Sequence, residues 1–238
     1  MNHLDPTAVV AKAFGVYRDH VAVLFPIALG VLALQSVVVA VLAGDPVGTA
    51  VSVVQSLILA TLLTGIFVEV ARDVEDGVLD SSTGQLISAV VPAIMPLIIV
   101  GFLAGIAVTA GLVLVVPGLF LATIFAVVAP VTVLERPGVL AAFGRSRDLV
   151  RGNGWQVFGL VLFNILLSLV VSNIVVRADD GLVGSLISWV VASLVAPLSA
   201  LVTAIAYLQL RALKGEAPLP TGVATADGPL ARPGTETF

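Results

Sequence analysis

From Val91 to Leu134 the chain reads VPAIMPLIIVGFLAGIAVTAGLVLVVPGLFLATIFAVVAPVTVL, with no aspartate, glutamate, lysine, arginine or histidine. A helix crosses the hydrocarbon core of a bilayer with about 20 apolar residues. This stretch is long enough to cross twice, and Val116-Pro117-Gly118 breaks it where a return is needed, since Pro-Gly favours a turn. Working outward, the same criterion gives six spans: 21–43, 49–71, 91–115, 118–134, 155–176 and 183–210.

The whole composition agrees. Of 238 residues, 59% are hydrophobic and 11% charged, with a mean hydropathy of +1.15. Soluble domains are roughly 45–50% apolar and about 25% charged, so most apolar side chains here must face lipid. The longest segment between spans, 135–154, is well below the roughly 40 residues that a domain needs to fold unaided. No soluble catalytic or nucleotide-binding domain is expected. Cysteine is absent, which removes disulfides, thiolate metal sites and cysteine nucleophiles. The first apolar run is too long for the 7–15 residues of a cleavable signal, and reads as a retained anchor. With a formal net charge of −4 and no large basic patch, nucleic acid is not an expected partner.

Cytoplasmic loops retain Lys and Arg. Lys12, Arg18, Arg72, Arg136, Arg145, Arg147, Arg151, Arg211, Lys214 and Arg232 fall on one side of the six spans, and only Arg177 on the other. Both termini are therefore expected in the cytoplasm. The outer connections are short and turn-like, giving three hairpins. The inner connections are longer and amphipathic. Val139, Phe143 and Val150 share a helical face opposite Arg147, Asp148 and Arg151; Val10, Phe14 and Tyr17 do the same opposite Lys12 and Asp19. Such helices lie in the membrane interface, apolar side down.

Ala13-Phe14-Gly15-Val16-Tyr17-Arg18-Asp19 matches Ala142-Phe143-Gly144-Arg145-Ser146-Arg147-Asp148 at five of seven positions, each ahead of a hairpin; Ser82 to Val90 is a weaker third copy. The fold class expected is all-α: a polytopic membrane domain over 1–214, built as three hairpins each preceded by a cytoplasmic interfacial helix. Residues 215–238, with Pro218, Pro220, Pro229 and Pro233, form a disordered cytoplasmic tail. Two crossings per unit make the repeats parallel, unlike the inverted repeats of many alternating-access carriers.

Ionisable residues within the spans reduce to Glu69, near the end of span two. Coupled carriers commonly rely on buried carboxylates, so their scarcity counts against coupled transport. Glu69, Asp73, Asp76 and Asp80 would share one face of a continued helix and could hold magnesium for a lipid phosphate. Gly77 interrupts that helix and Arg72 neutralises part of the charge, so a solvated acidic loop is the better reading. Gln35 and Asn164 are candidate intramembrane polar contacts, with interhelical packing weighed above substrate binding. Gly101 with Gly105, and Ala192, Ala196, Ala200 and Ala204, are small-residue pairs and stripes that let helices approach, with packing inside the monomer weighed above dimerisation. His3 and His20 form no metal motif, and no nucleophile elbow or phosphate loop occurs. Catalytic, cofactor-binding and metal-binding residues are all expected to be absent.

Pro117-Gly118-Leu119, Ala129-Pro130-Val131, Leu134-Glu135, Ala141-Ala142-Phe143, Arg145-Ser146, Leu149-Val150-Arg151-Gly152 and Trp155 together resemble the membrane-domain family associated with glycerophosphoryl diester phosphodiesterases. Members are six-helix bacterial and archaeal membrane proteins. In some, the module precedes a soluble phosphodiesterase barrel that carries catalysis. These residues hold no such barrel, so the resemblance implies a membrane module without enzyme activity in a prokaryotic plasma membrane. Physically, Glu135 can pair with Arg145 and fix the interfacial helix, while Arg145, Arg147 and Arg151 can meet anionic headgroups at about 1 kcal/mol per basic residue. The leading expectation is a non-enzymatic, membrane-organising module that binds lipid or a protein partner, including a second copy of itself. The alternative is a permease for a small apolar or amphiphilic compound, with a cavity near Gln35 or Asn164.

Overall fold

The computed structural model describes residues 3–42, 48, 63–72, 74, 90–177 and 182–217. Its regular elements are all helical, and no strand occurs among the described residues. In chain order they are α1 (Pro6–Leu42), α2 (63–72), a 3-10 turn at Val91–Ala93 leading into α3 (Ile94–Leu112), α4 (Val116–Ile124), α5 (Val128–Leu134), α6 (Val139–Val150), α7 (Gly154–Arg177) and α8 (Leu182–Leu213). Among the described residues five helical stretches are long and apolar enough to span a membrane: Pro6–Val37, Val91–Val108, Val116–Leu134, Gly154–Ile174 and Val183–Leu213. The span expected at 49–71 lies outside the described residues up to position 62, and its end forms α2.

These helices need lipid. Only 11% of the most apolar window of Gly154–Ile174 is buried within the protein, and Val113, Leu114 and Val116 stand at least 72% exposed. Apolar surface on that scale does not stay in water on a monomer. Burial concentrates at the opposite end, where Phe67, Val131, Ala142, Leu149, Tyr207 and Leu210 form a dense core. Helix α6 is the hub of that end and touches α3, α4, α5 and α8.

Several local expectations change. Span four is not continuous. Its helix breaks at Phe125–Val127, because Pro130 offers no N–H to the Ala126 carbonyl and its ring crowds that turn. Val128 N–H bonds Phe125 instead of continuing the ladder, and the Ser146 hydroxyl of α6 donates to the Ile124 carbonyl at 2.7 Å. The turn between α3 and α4 falls at Val113–Val115, before Pro117-Gly118, which sit in the first turn of α4. A β-carbon on Gly111 would lie 2.8 Å from Gly118 Cα, so the backbones there close to a distance only glycine permits. Gly101 and Gly105, expected first to pack inside the monomer, are exposed, and a β-carbon on either would meet nothing within 4 Å among the described residues.

Helix α1 runs through the expected interfacial segment but kinks at His20 (φ −119°, ψ 17°). The His20 Nδ1 donates to the Val16 carbonyl at 3.1 Å. The segment before the kink and α6 share their burial at three of the five identical positions: Ala13 and Ala142 are fully buried, while Arg18 and Arg147, Asp19 and Asp148 are exposed. On α1 the buried stripe sits one residue, about 100° of helix, from the stripe read off the sequence; on α6 Val150 is buried as expected, but the stripe centres on Ala142, Ser146 and Leu149. Val9 and Ala13 are buried while Phe14 is 57% exposed; Ala142, Ser146, Leu149 and Val150 are buried on α6. The small alanines take the closest approach, and the phenylalanines lie at the flank. Phe143 packs edge-on against Phe125, 4.8 Å between centroids. The apolar side of α6 therefore meets protein, where the sequence reading placed lipid.

Candidate functional site

Two polar features stand out: a charged rim around α6 and a hydroxyl-lined slot between α7 and α8. The rim begins with Glu135, which ends α5. Arg145 grips it with two bonds, Nε to Oε2 at 2.8 Å and Nη2 to Oε1 at 3.0 Å. The Tyr207 hydroxyl donates to Glu135 Oε1 at 2.8 Å. Arg145 also donates to Glu216, and Arg211 Nε reaches the same Glu216 carboxylate at 2.8 Å. Arg211 lies over the Tyr207 ring, 5.9 Å from its centroid. Two carboxylates and two guanidinium groups leave the cluster electrically neutral. Bidentate and charge-assisted bonds of this type are the strong ones.

Glu135 and Arg145, paired in the sequence reading, thus meet as part of a larger group. Tyr207, Arg211 and Glu216 were not foreseen. Tyr207 and Arg211 stand at i and i+4 on one helix face, the spacing at which helical side chains meet, at the end of α8 level with Glu135. Glu216 lay in the part read as disordered tail. Gly215, at φ +74°, turns the chain back so that Glu216 is held; residues 218–238 lie outside the described residues.

The hydrogen bond to Glu135, then that to Glu216, raises the Arg145 guanidinium above its ordinary value. Arg145, then Arg211, holds the Glu216 carboxyl down at about 2, against an ordinary 4.5. A depressed carboxyl stabilises the fold above its unfolded value and loses that contribution as pH falls through its folded one. The difference in thermal stability between wild type and Glu216→Gln is therefore expected to be full above pH 4.5 and to vanish as the pH falls to about 2. A difference constant down to pH 2, followed by circular dichroism in mild detergent, would contradict this pairing.

The three arginines expected at headgroups divide. Arg145 is committed to the neutral cluster. Arg147 and Arg151 are exposed and have no acidic partner among the described residues. Lys214 joins them, its Nζ donating to the Arg151 carbonyl at 2.9 Å. Beside them Trp155 is 82% and Leu140 81% exposed. An exposed tryptophan next to cations is the pattern of a membrane interface.

The acidic group separates too. Glu69 is buried and paired with Arg72 at 2.9 Å, while Asp73, Asp76 and Asp80 lie outside the described residues. Among the described residues no three His, Asp or Glu side chains gather as metal ligands.

The slot, about 450 Å³, is lined by Asn164, Ser168, Ser172, Ser199 and Thr203 together with apolar residues. Asn164 Oδ1 accepts from the Ser199 hydroxyl and ties α7 to α8. A second cavity of about 590 Å³ shares Ser168, Ser172, Ser199 and Thr203, and adds Gln35 and Thr64. Ala192, Ala196 and Ala200, the small stripe of α8, line it. These small side chains leave the space. Compared with known proteins, the chain matches no family model, no curated sequence and no solved structure, so the family resemblance of 117–155 rests on those residues alone.

Proposed function

We propose that this chain is a non-enzymatic, multi-pass protein of a prokaryotic plasma membrane that binds anionic lipid at its cytoplasmic rim and organises membrane or a partner there. In this reading six helices form three hairpins, each preceded by a cytoplasmic amphipathic helix, with both termini cytoplasmic. The ten-to-one bias of basic residues supports the orientation. The observation that carries the function is the exposed Arg147 and Arg151, without an ion-pair partner among the described residues, beside Lys214 and Trp155. The resemblance of the 117–155 segment to a membrane module, in a family where catalysis belongs to a separate barrel, supports a non-enzymatic role for these residues.

Native mass spectrometry from mild detergent tests this. Wild type is expected to retain an anionic phospholipid. Arg147→Gln with Arg151→Gln is expected to weaken that binding roughly thirtyfold, from about 1 kcal/mol per basic residue. Undiminished retention would remove the rim from the account.

A second reading, a permease for a small apolar or amphiphilic compound, is favoured by one observation: Gln35 and Asn164 each line a cavity. Uptake into proteoliposomes, lost on filling the cavity, would turn the weight to it.

A further inference from the structure

The rim reading leaves the slot between α7 and α8 unused, and the slot has a definite chemistry. Asn164 is the midpoint of the Gly154–Ile174 span, ~15 Å along the helix from Gly154 at 1.5 Å per residue. That places it near the centre of a hydrocarbon core about 30 Å thick. The α7 residues lining the slot run from Val157 to Ser172, ~22 Å of helix. Spread over that length, 450 Å³ is a cross-section of about 20 Å², the width of one extended hydrocarbon chain. The volume lies within the roughly 300–1,000 Å³ of ligand sites. Ile165 and Leu169, 37% and 52% exposed, form a lip on the lipid side.

Among the described residues the lining contains no charged side chain, and an ion at this depth would be costly. Its polar atoms are selective in a further way. The hydroxyl protons of Ser199, Thr203 and Ser168 are already donated, to Asn164 Oδ1, to the Ser199 carbonyl (3.1 Å) and to the Asn164 carbonyl (2.9 Å). These oxygens retain acceptor capacity only. Asn164 Nδ2 gives one proton to the Leu160 carbonyl at 3.2 Å and keeps its second. Ser172, also in the lining, makes no hydrogen bond among the described residues and adds its hydroxyl as a second donor, so the site offers several acceptors and two donors. A hydroxyl, which both donates and accepts, satisfies both kinds; an ester or ketone, which only accepts, satisfies one.

We infer that the slot binds a single-chain, uncharged lipid bearing a hydroxyl group, entering sideways from the bilayer between α7 and α8. The inference goes beyond the rim reading and does not depend on it. It is tested on the full chain in liposomes with a long-chain alcohol carrying a diazirine and an alkyne. After irradiation, adducts are expected to concentrate in 157–172 and 199–206, and to be competed by the unlabelled alcohol but not by the alkyl sulfate of the same length. Thr203→Val is expected to lower slot labelling about fivefold, the loss of one hydrogen bond. Ser168→Leu, at an exposed helical position, is expected to abolish it by filling the lip. Adducts spread evenly over the lipid-facing surfaces of α1 and α3, or equal competition by the sulfate, would overturn the proposal. The competition arm uses wild-type protein and needs no variant to fold.

Discussion

Replacing Glu135 with glutamine is expected to destabilise the protein by on the order of 3 kcal/mol, the scale for removing one partner of a buried charge pair. Arg145 and Arg211, whose side chains are 28% and 15% exposed, would then share only Glu216. The cluster would carry an uncompensated positive charge, and α6 would lose its tie to the end of α5. Arg145→Gln reverses the imbalance and should cost a similar amount. The double variant Glu135→Gln with Arg145→Gln should be more stable than the two single losses added together, because the charges leave as a pair. Thermal unfolding in mild detergent reads all three. A change under about 0.5 kcal/mol for Glu135→Gln, the range of an ordinary surface substitution, would show that the cluster does not hold α6.

Leu149→Ala is expected to cost about 2–5 kcal/mol, the range for truncating a buried leucine. Leu149 is fully buried on α6, whereas Leu140, on the same helix, is 81% exposed, so Leu140→Ala should stay within about 0.5 kcal/mol. The contrast separates two pictures of α6. If its apolar side rested in lipid, both leucines would be replaced at comparable cost. Packed on α3, α4, α5 and α8, only Leu149 matters to the fold.

The helical, membrane-spanning character was legible because hydropathy acts at the scale of whole segments: Val91 to Leu134 has no alternative environment than lipid. The amphipathic stretches 6–19 and 139–150 were legible too, from periodicity. Their orientation was not. Periodicity marks Phe14 and Phe143 as the apolar centre of each stripe, but close packing admits the smaller Ala13 and Ala142 instead, and a shift of one residue turns the face by about 100°. The break at Phe125–Val127 was written in Pro130 and in Ser146, yet its second half lies 22 residues along the chain. The polar cluster shows the same limit. Glu135 and Arg145 are near in sequence and were paired on that ground; Tyr207 and Glu216 lie 72 and 71 positions from their partners Glu135 and Arg145. Long-range partners leave no local signal, and a Pro-rich tail conceals one glutamate that is held.

A membrane-spanning bundle with its arginine-bearing rim at the cytoplasmic surface exposes the turn between α3 and α4, and not the rim, to reagents outside the cell. The native chain has no cysteine, so single cysteines report cleanly. In intact cells treated with a membrane-impermeant maleimide, Leu114→Cys, in the turn between α3 and α4, should be labelled. Asp148→Cys, on the exposed side of α6, should be labelled only after the membrane is opened. That pattern is expected for a cytoplasmic rim; labelling of Asp148→Cys in intact cells would contradict it and place the rim outside.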